Sequence, residues 1–128
     1  MDFALPEHLP GLLAEMDAFI EAEIKPLERE NMQYFDRRRE FARTDLDNGG
    51  VPAREWEDLL DEMRRRADAA GWLRYGLPEE FGGRGGSNLD MAVIREHLAH
   101  KGLGLHNDLQ DESSIVGNFP QVIMMSRF

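Results

Sequence analysis

At 128 residues the chain suits a single domain, which by area scaling buries roughly two-thirds of its unfolded surface in one modest core. A formal net charge of −10 and a pI near 4.8 argue against a nucleic-acid backbone or an anionic membrane as partner, because like charges repel. With no cysteine, the chain has no disulfide, thiolate zinc site, iron–sulfur cluster or thiol nucleophile, and a reducing compartment is expected.

The opening Met-Asp-Phe-Ala-Leu-Pro-Glu lacks the positive, then apolar, pattern of a signal peptide. No stretch approaches the ~20 apolar residues of a membrane span. The expectation is a soluble, cytoplasmic protein.

Leu9, Leu12, Leu13, Met16, Phe19, Ile20, Ile24 and Leu27 follow the i, i+3, i+4, i+7 spacing of one helix face. Pro26 lacks an N–H and restricts Lys25, so that helix should end or kink there. Residues 28–50 are charge-dense and read as a helical extension or packed surface excursion, with Met32, Tyr34, Phe35, Phe41 and Leu46 as scattered anchors. Arg37-Arg38-Arg39 lies among acidic neighbours and reads as a solvated face in preference to a phosphate site. Asp47-Asn48-Gly49-Gly50 is a turn.

Pro52 suits the first position of the next helix, whose acidic start and arginine-rich end agree with the helix dipole. Trp56, Leu59, Leu60, Met63, Ala67 and Ala70 form its inner stripe, Gly71 caps it, and Trp72 packs beyond the cap. The third strong helix starts near Ser87, which with Asp90 makes a capping-box-like pair, and stops at Gly102. Leu89, Met91, Ala92, Val93, Ile94, Leu98 and Ala99 wrap much of its circumference, so it should be central and buried on several sides. Asn107 or Asp108 can cap a further helix to about Val116, and the chain closes on apolar Val122, Ile123, Met124, Met125 and Phe128. No period-2 alternation long enough for a strand is present. The pattern predicts an all-α fold of about five helices.

Three features invite chemistry. Gly82-Gly83-Arg84-Gly85-Gly86 before a helix suggests an anion cradle, but no strand pattern precedes it and neither nucleotide fingerprint is present, so it reads as a tight turn. His97, His100 and His106 with Glu96, Asp108 and Asp111 suggest a metal, but the spacing departs from His-Glu-x-x-His. Ser113, His106 and Asp111 spell a triad without the turn that would expose the serine. The uncharged polar stripe His106, Gln110, Ser113 or Ser114, and Gly117 fits either a ligand channel or an ordinary half-exposed helix face.

The order Ile24-Lys25-Pro26-Leu27, Ala70-Gly71-Trp72, Leu77-Pro78-Glu79-Glu80-Phe81-Gly82-Gly83 and Leu89-Asp90-Met91-Ala92-Val93-Ile94-Arg95-Glu96-His97-Leu98-Ala99 resembles the N-terminal helical domain of acyl-CoA dehydrogenases. Residues 28–50 depart from it as a longer, more charged connection. The resemblance implies an orthogonal helical bundle and, in the complete enzyme, FAD, an acyl-CoA substrate dehydrogenated at Cα and Cβ, and an electron-transfer flavoprotein as electron acceptor. It also implies that the segment after the glycine-capped helix lines the fatty tail, which falls on Leu105, His106, Asn107, Leu109, Gln110, Ser113 and Ser114. Residues 1–128 then form the N-terminal domain alone, stopping before the β-domain and the C-terminal helical domain. No glutamate inherits the catalytic role, so the isolated chain is expected to be inactive, without flavin, and to associate through apolar surface or as a homo-oligomer. The alternative is a stand-alone helical interaction or dimerisation module.

Overall fold

The computed structural model describes residues 5–109, which are mostly helical with one very small sheet. The first helix, α1 (His8–Phe19), continues without a break through a π-helical turn, Ile20–Ile24, into α2 (Lys25–Arg29). Pro26 therefore does not end the helix. The wider turn just before it, where the Lys25 N–H donates to the Ile20 carbonyl five residues back, gives the pyrrolidine ring room in a continuous rod. The rod stops at Asn31, whose side-chain amide donates to the Leu27 carbonyl at 2.9 Å. Leu9, Leu12, Met16, Ile20, Ile24 and Leu27 are buried along it, with Leu13 and Phe19 packed at the margin, as the spacing requires.

Residues 28–50 form a pinned excursion that includes two 3-10 turns, Met32–Tyr34 and Leu46–Asn48, and the short helix α3 (Arg39–Ala42). Of the five expected anchors only Tyr34 and Phe35 pack inward, while Met32, Phe41 and Leu46 are exposed. Tyr34 and Phe35 meet Trp56 with ring centroids 5.3 and 5.9 Å away, and the Arg43 guanidinium covers the indole at 4.2 Å. The Arg43 Nε–H donates to the Tyr34 carbonyl at 2.8 Å and so closes the excursion on itself. A two-residue ladder that no periodicity announces follows: β1 (Thr44–Asp45) pairs antiparallel with β2 (Val51–Pro52), Thr44 opposite Pro52. Gly49 and Gly50, at φ 84° and 81°, turn the chain between them. Pro52 thus lies in the ladder, and helix α4 (Arg54–Ala69) starts two residues later.

Helix α4 ends in the glycine-capped form expected. Gly71 is left-handed, its N–H reaches the Asp68 carbonyl, and the Trp72 N–H reaches Ala67 at 2.8 Å, which seats the buried indole. Leu59, Leu60, Met63 and Ala67 face the core, Trp56 is half-buried, and Ala70, being the cap residue, is exposed. The last long element, α5 (Asn88–His100), opens on a complete capping box between Ser87 and Asp90. Asp90 also accepts from His8 Nε2 at 2.8 Å and from the Tyr75 hydroxyl at 3.1 Å, joining the start of α1, the turn after α4 and the start of α5. Burial works to raise the Asp90 pKa, but the bonds from His8, Tyr75 and Ser87 prevail and hold the carboxyl below its ordinary value. Burial and the same carboxylate push the Tyr75 phenol up to about 12.

Helix α5 is buried less widely than its composition suggested. Asp90, Met91, Ile94 and Leu98 face inward, whereas Leu89, Ala92 and Ala99 are exposed because no element among the described residues covers their side. Across the inner face, Asp17 of α1 accepts from His97 Nε2 at 2.8 Å and pairs with Lys101 Nζ at 2.9 Å.

The glycine-rich loop before α5 is tight because backbone meets backbone. A Cβ on Gly83 would collide with the Leu77 and Arg74 carbonyls, and one on Gly86 with the Tyr75 ring. Gly85, at φ 66°, faces open space. Gly83→Ala is accordingly expected to cost at least about 3 kcal/mol in denaturant unfolding, against about 1–2 kcal/mol for the purely conformational strain of Gly85→Ala. Equal losses would mean that the loop is less closely packed than this.

Candidate functional site

The stretch expected to line a ligand starts at Gly102, whose φ of 82° ends α5, and runs through extended Gly104 into a 3-10 turn, Leu105–Asp108. One carboxylate carries its attachment to the first helix. Glu28 Oε1 accepts the Leu105 N–H at 2.9 Å while Oε2 pairs with Lys25 Nζ at 3.3 Å. A Cβ on Gly104 would overlap Glu28 Oε1 and crowd His106, so a side chain there would have to displace that carboxylate.

The side chains of this stretch divide sharply. Leu105, His106 and Leu109 are fully buried, whereas Asn107 is exposed. Asn107 ties the turn together, its Oδ1 accepting from the Gly104 N–H at 2.8 Å and its Nδ2 donating to the Gly102 carbonyl at 3.2 Å. The other expected contacts, Gln110, Ser113 and Ser114, and most of the helix predicted to reach Val116, lie outside the described residues.

His106 Nε2 donates to the same Gly102 carbonyl at 3.0 Å, which leaves Nδ1 of the neutral ring as a buried acceptor with no partner among the described residues. Burial, with the positive charges of Lys25 and Lys101 nearby, lowers the His106 pKa from 6.5. The ring is therefore neutral at pH 7 and packs as a structural group.

Asn107 lies on a groove of about 250 Å³ formed against the excursion. Phe35, Arg39, Arg43 and Trp56 make one side of it, and Leu103, Gly104 and Asn107 the other. A second depression, of about 180 Å³, shares Asn107 and is lined by Arg95, Leu98 and Ala99. Arg95 Nε and Nη2 are buried there without a hydrogen-bond partner among the described residues.

The glycine loop offers no anion cradle. The Gly82, Gly83, Arg84, Gly85 and Gly86 N–H groups all donate inward, to the Glu79, Pro78, Tyr75, Leu77 and Tyr75 carbonyls respectively. The histidines are apart in function as well: His97 is on Asp17, His100 is 3.6 Å from Glu96 on the surface, and His106 is in the core. Among the described residues no group of three histidine or carboxylate side chains converges on a metal position.

Comparison with known proteins adds the decisive observation. The family described as acyl-CoA dehydrogenase, N-terminal domain, matches residues 28–119. The chain belongs to the acyl-CoA dehydrogenase family. No curated protein and no solved structure matched it.

The acyl-CoA dehydrogenase match includes the excursion, although residues 28–50 looked from the sequence like its point of departure. The family generally binds FAD, and the glycine-loop amides that could have met its phosphates are engaged by carbonyls of the same loop. Reasoning from sequence missed Glu28, whose only signal was the Lys25–Glu28 spacing, and the groove face made by Arg39, Arg43 and Trp56, which long-range packing brings to Asn107. No helix among the described residues is long and apolar enough to cross a membrane.

His106 yields a pH test. Its folded pKa lies below 6.5, so the unfolded chain takes up the proton first and the stability it contributes is lost as pH falls through about 6.5. In denaturant unfolding the gap between wild type and His106→Gln is expected to narrow from pH 7.5 to pH 5.5, with every other titrating group common to both. A gap that stayed constant would show that the ring is not held neutral in the fold.

Proposed function

We propose that this chain is the acyl-pocket domain of a flavin-dependent acyl-CoA dehydrogenase, whose complete form performs α,β-dehydrogenation of an acyl-CoA thioester. The family match over residues 28–119 carries the reading. The docked Gly102–Leu109 stretch supports it, since a pocket wall needs a rigid backbone with a side chain turned outward. Leu105, His106 and Leu109 fix the wall from inside, and Asn107 presents an amide beside exposed Leu103. Gln110, Ser113 and Ser114 are further candidate contacts outside the described residues. The flavin and the docking of an electron-transfer flavoprotein belong to parts of the enzyme other than the described residues, and this chain alone does not catalyse. We place the protein in the cytoplasm.

A second reading, an interaction module that associates through apolar surface, draws support from Phe41, Leu46 and Val51, all exposed within one short stretch. Amide-resolved NMR titration separates the two. Octanoyl-CoA is expected to shift the amides of residues 103–109 with weak, roughly millimolar affinity, because one wall supplies only part of the binding free energy, while CoA alone leaves them in place. Identical shifts with CoA, or none in this stretch, would overturn the acyl-wall reading. A stable dimer in light scattering that ignores octanoyl-CoA would favour the module.

A further inference from the structure

The groove beside Asn107 is charged against the trend of the molecule. The chain carries 25 acidic residues against 15 basic ones, and Arg38, Arg64, Arg65, Arg66, Arg74 and Arg84 each stand within 4.0 Å of a carboxylate. The groove brings together two guanidiniums, Arg39 and Arg43, and no carboxylate among the described residues that line it. Arg39 has no ion-pair partner among the described residues, although Asp36 and Glu40 share the shallow depression on its other flank. Arg43 lies 4.2 Å above Trp56 and 5.4 Å from Phe35 and is tethered through Nε to the Tyr34 carbonyl, so its plane is fixed.

The opposite side is apolar and open. Leu103 is 85% exposed and Gly104 contributes no side chain, which leaves room beside the Asn107 amide. A short apolar body lying on Leu103 and Phe35 would bring an attached oxyanion to Arg39, in a volume of about 250 Å³. We propose that this groove binds a small amphiphilic oxyanion, a carboxylate or phosphate head on a short apolar tail, with Arg39 as the head-group contact. The groove shares Leu103 and Asn107 with the acyl wall proposed above, but its head-group contact, Arg39, and Trp56 lie on the far side, so these two report on it separately from the wall.

Side-chain NMR of the full chain tests this through the Trp56 indole and Arg39 Nε signals, with octanoate, octyl phosphate, 1-octanol and inorganic phosphate as probes. Octanoate and octyl phosphate are expected to shift both signals saturably, the tighter of the two identifying the preferred head group. Octanol and inorganic phosphate, each lacking half of the required chemistry, should bind at least about tenfold more weakly. Arg39→Gln should weaken octanoate about fivefold, as expected for a solvent-exposed charge contact, and Arg39→Lys should retain most of the affinity. Arg39 is exposed and makes no ion pair among the described residues, so unchanged thermal unfolding of the variants confirms that the loss is one of binding. Absent shifts, octanol matching octanoate, inorganic phosphate matching octyl phosphate, or an Arg39→Gln variant with full affinity would each overturn the proposal.

Discussion

The Glu28 carboxylate holds the candidate wall to the rest of the chain. It reaches across 77 residues of sequence to accept the Leu105 N–H, and it is held in place by Lys25 one helical turn away. A hydrogen bond to an ionised acceptor is worth about 1.5–3 kcal/mol where water is largely excluded, enough to decide whether a short turn stays docked. Its position depends on the rod below it. The π-helical turn at Ile20–Ile24 lets the chain pass Pro26 without stopping, and only because it passes does Glu28 lie on α2 opposite Gly104. Asp17, farther back on the same rod, takes His97 and Lys101 and so fixes the end of α5 from which the candidate wall departs.

A second carboxylate organises the other end. Asp90 gathers His8, Tyr75 and the Ser87 cap, and the glycine loop approaches Tyr75 so closely that Gly86 admits no side chain against its ring. The loop amides are consumed in that packing, so the glycine-rich stretch builds the start of α5 and leaves no donors for a phosphate. The chain's acidic excess is likewise an average. Around Asn107 long-range packing sets Arg39 and Arg43 on one groove and Arg95 on the neighbouring depression, an arrangement that net charge conceals.

What could be read in advance was local. Ser87 with Asp90 three residues on, Gly71 after an apolar stripe, and the repeat from Leu9 to Leu27 each encode their structure within one or two turns of helix. The candidate wall is different, because Leu105, His106 and Leu109 looked like candidate contacts while their burial depends on the first rod, α4 and α5 packing around them. Pro26 misled for a related reason: local sterics forbid a regular α-turn there, and the chain answers with a wider turn. The β1–β2 ladder, two residues on each strand, is too short to leave a periodicity. Nor could composition tell which face of α5 the described residues would cover, since that depends on which neighbours pack against it.

Native-state hydrogen exchange at the Leu105 amide tests the central claim, that the wall is held by Glu28. This amide is expected to exchange as slowly as those of Met63 and Ile94 in the wild-type chain, and Glu28→Ala is expected to release it selectively while those two keep their protection. Rapid exchange at Leu105 in the wild type, or protection that survives the loss of Glu28, would contradict it.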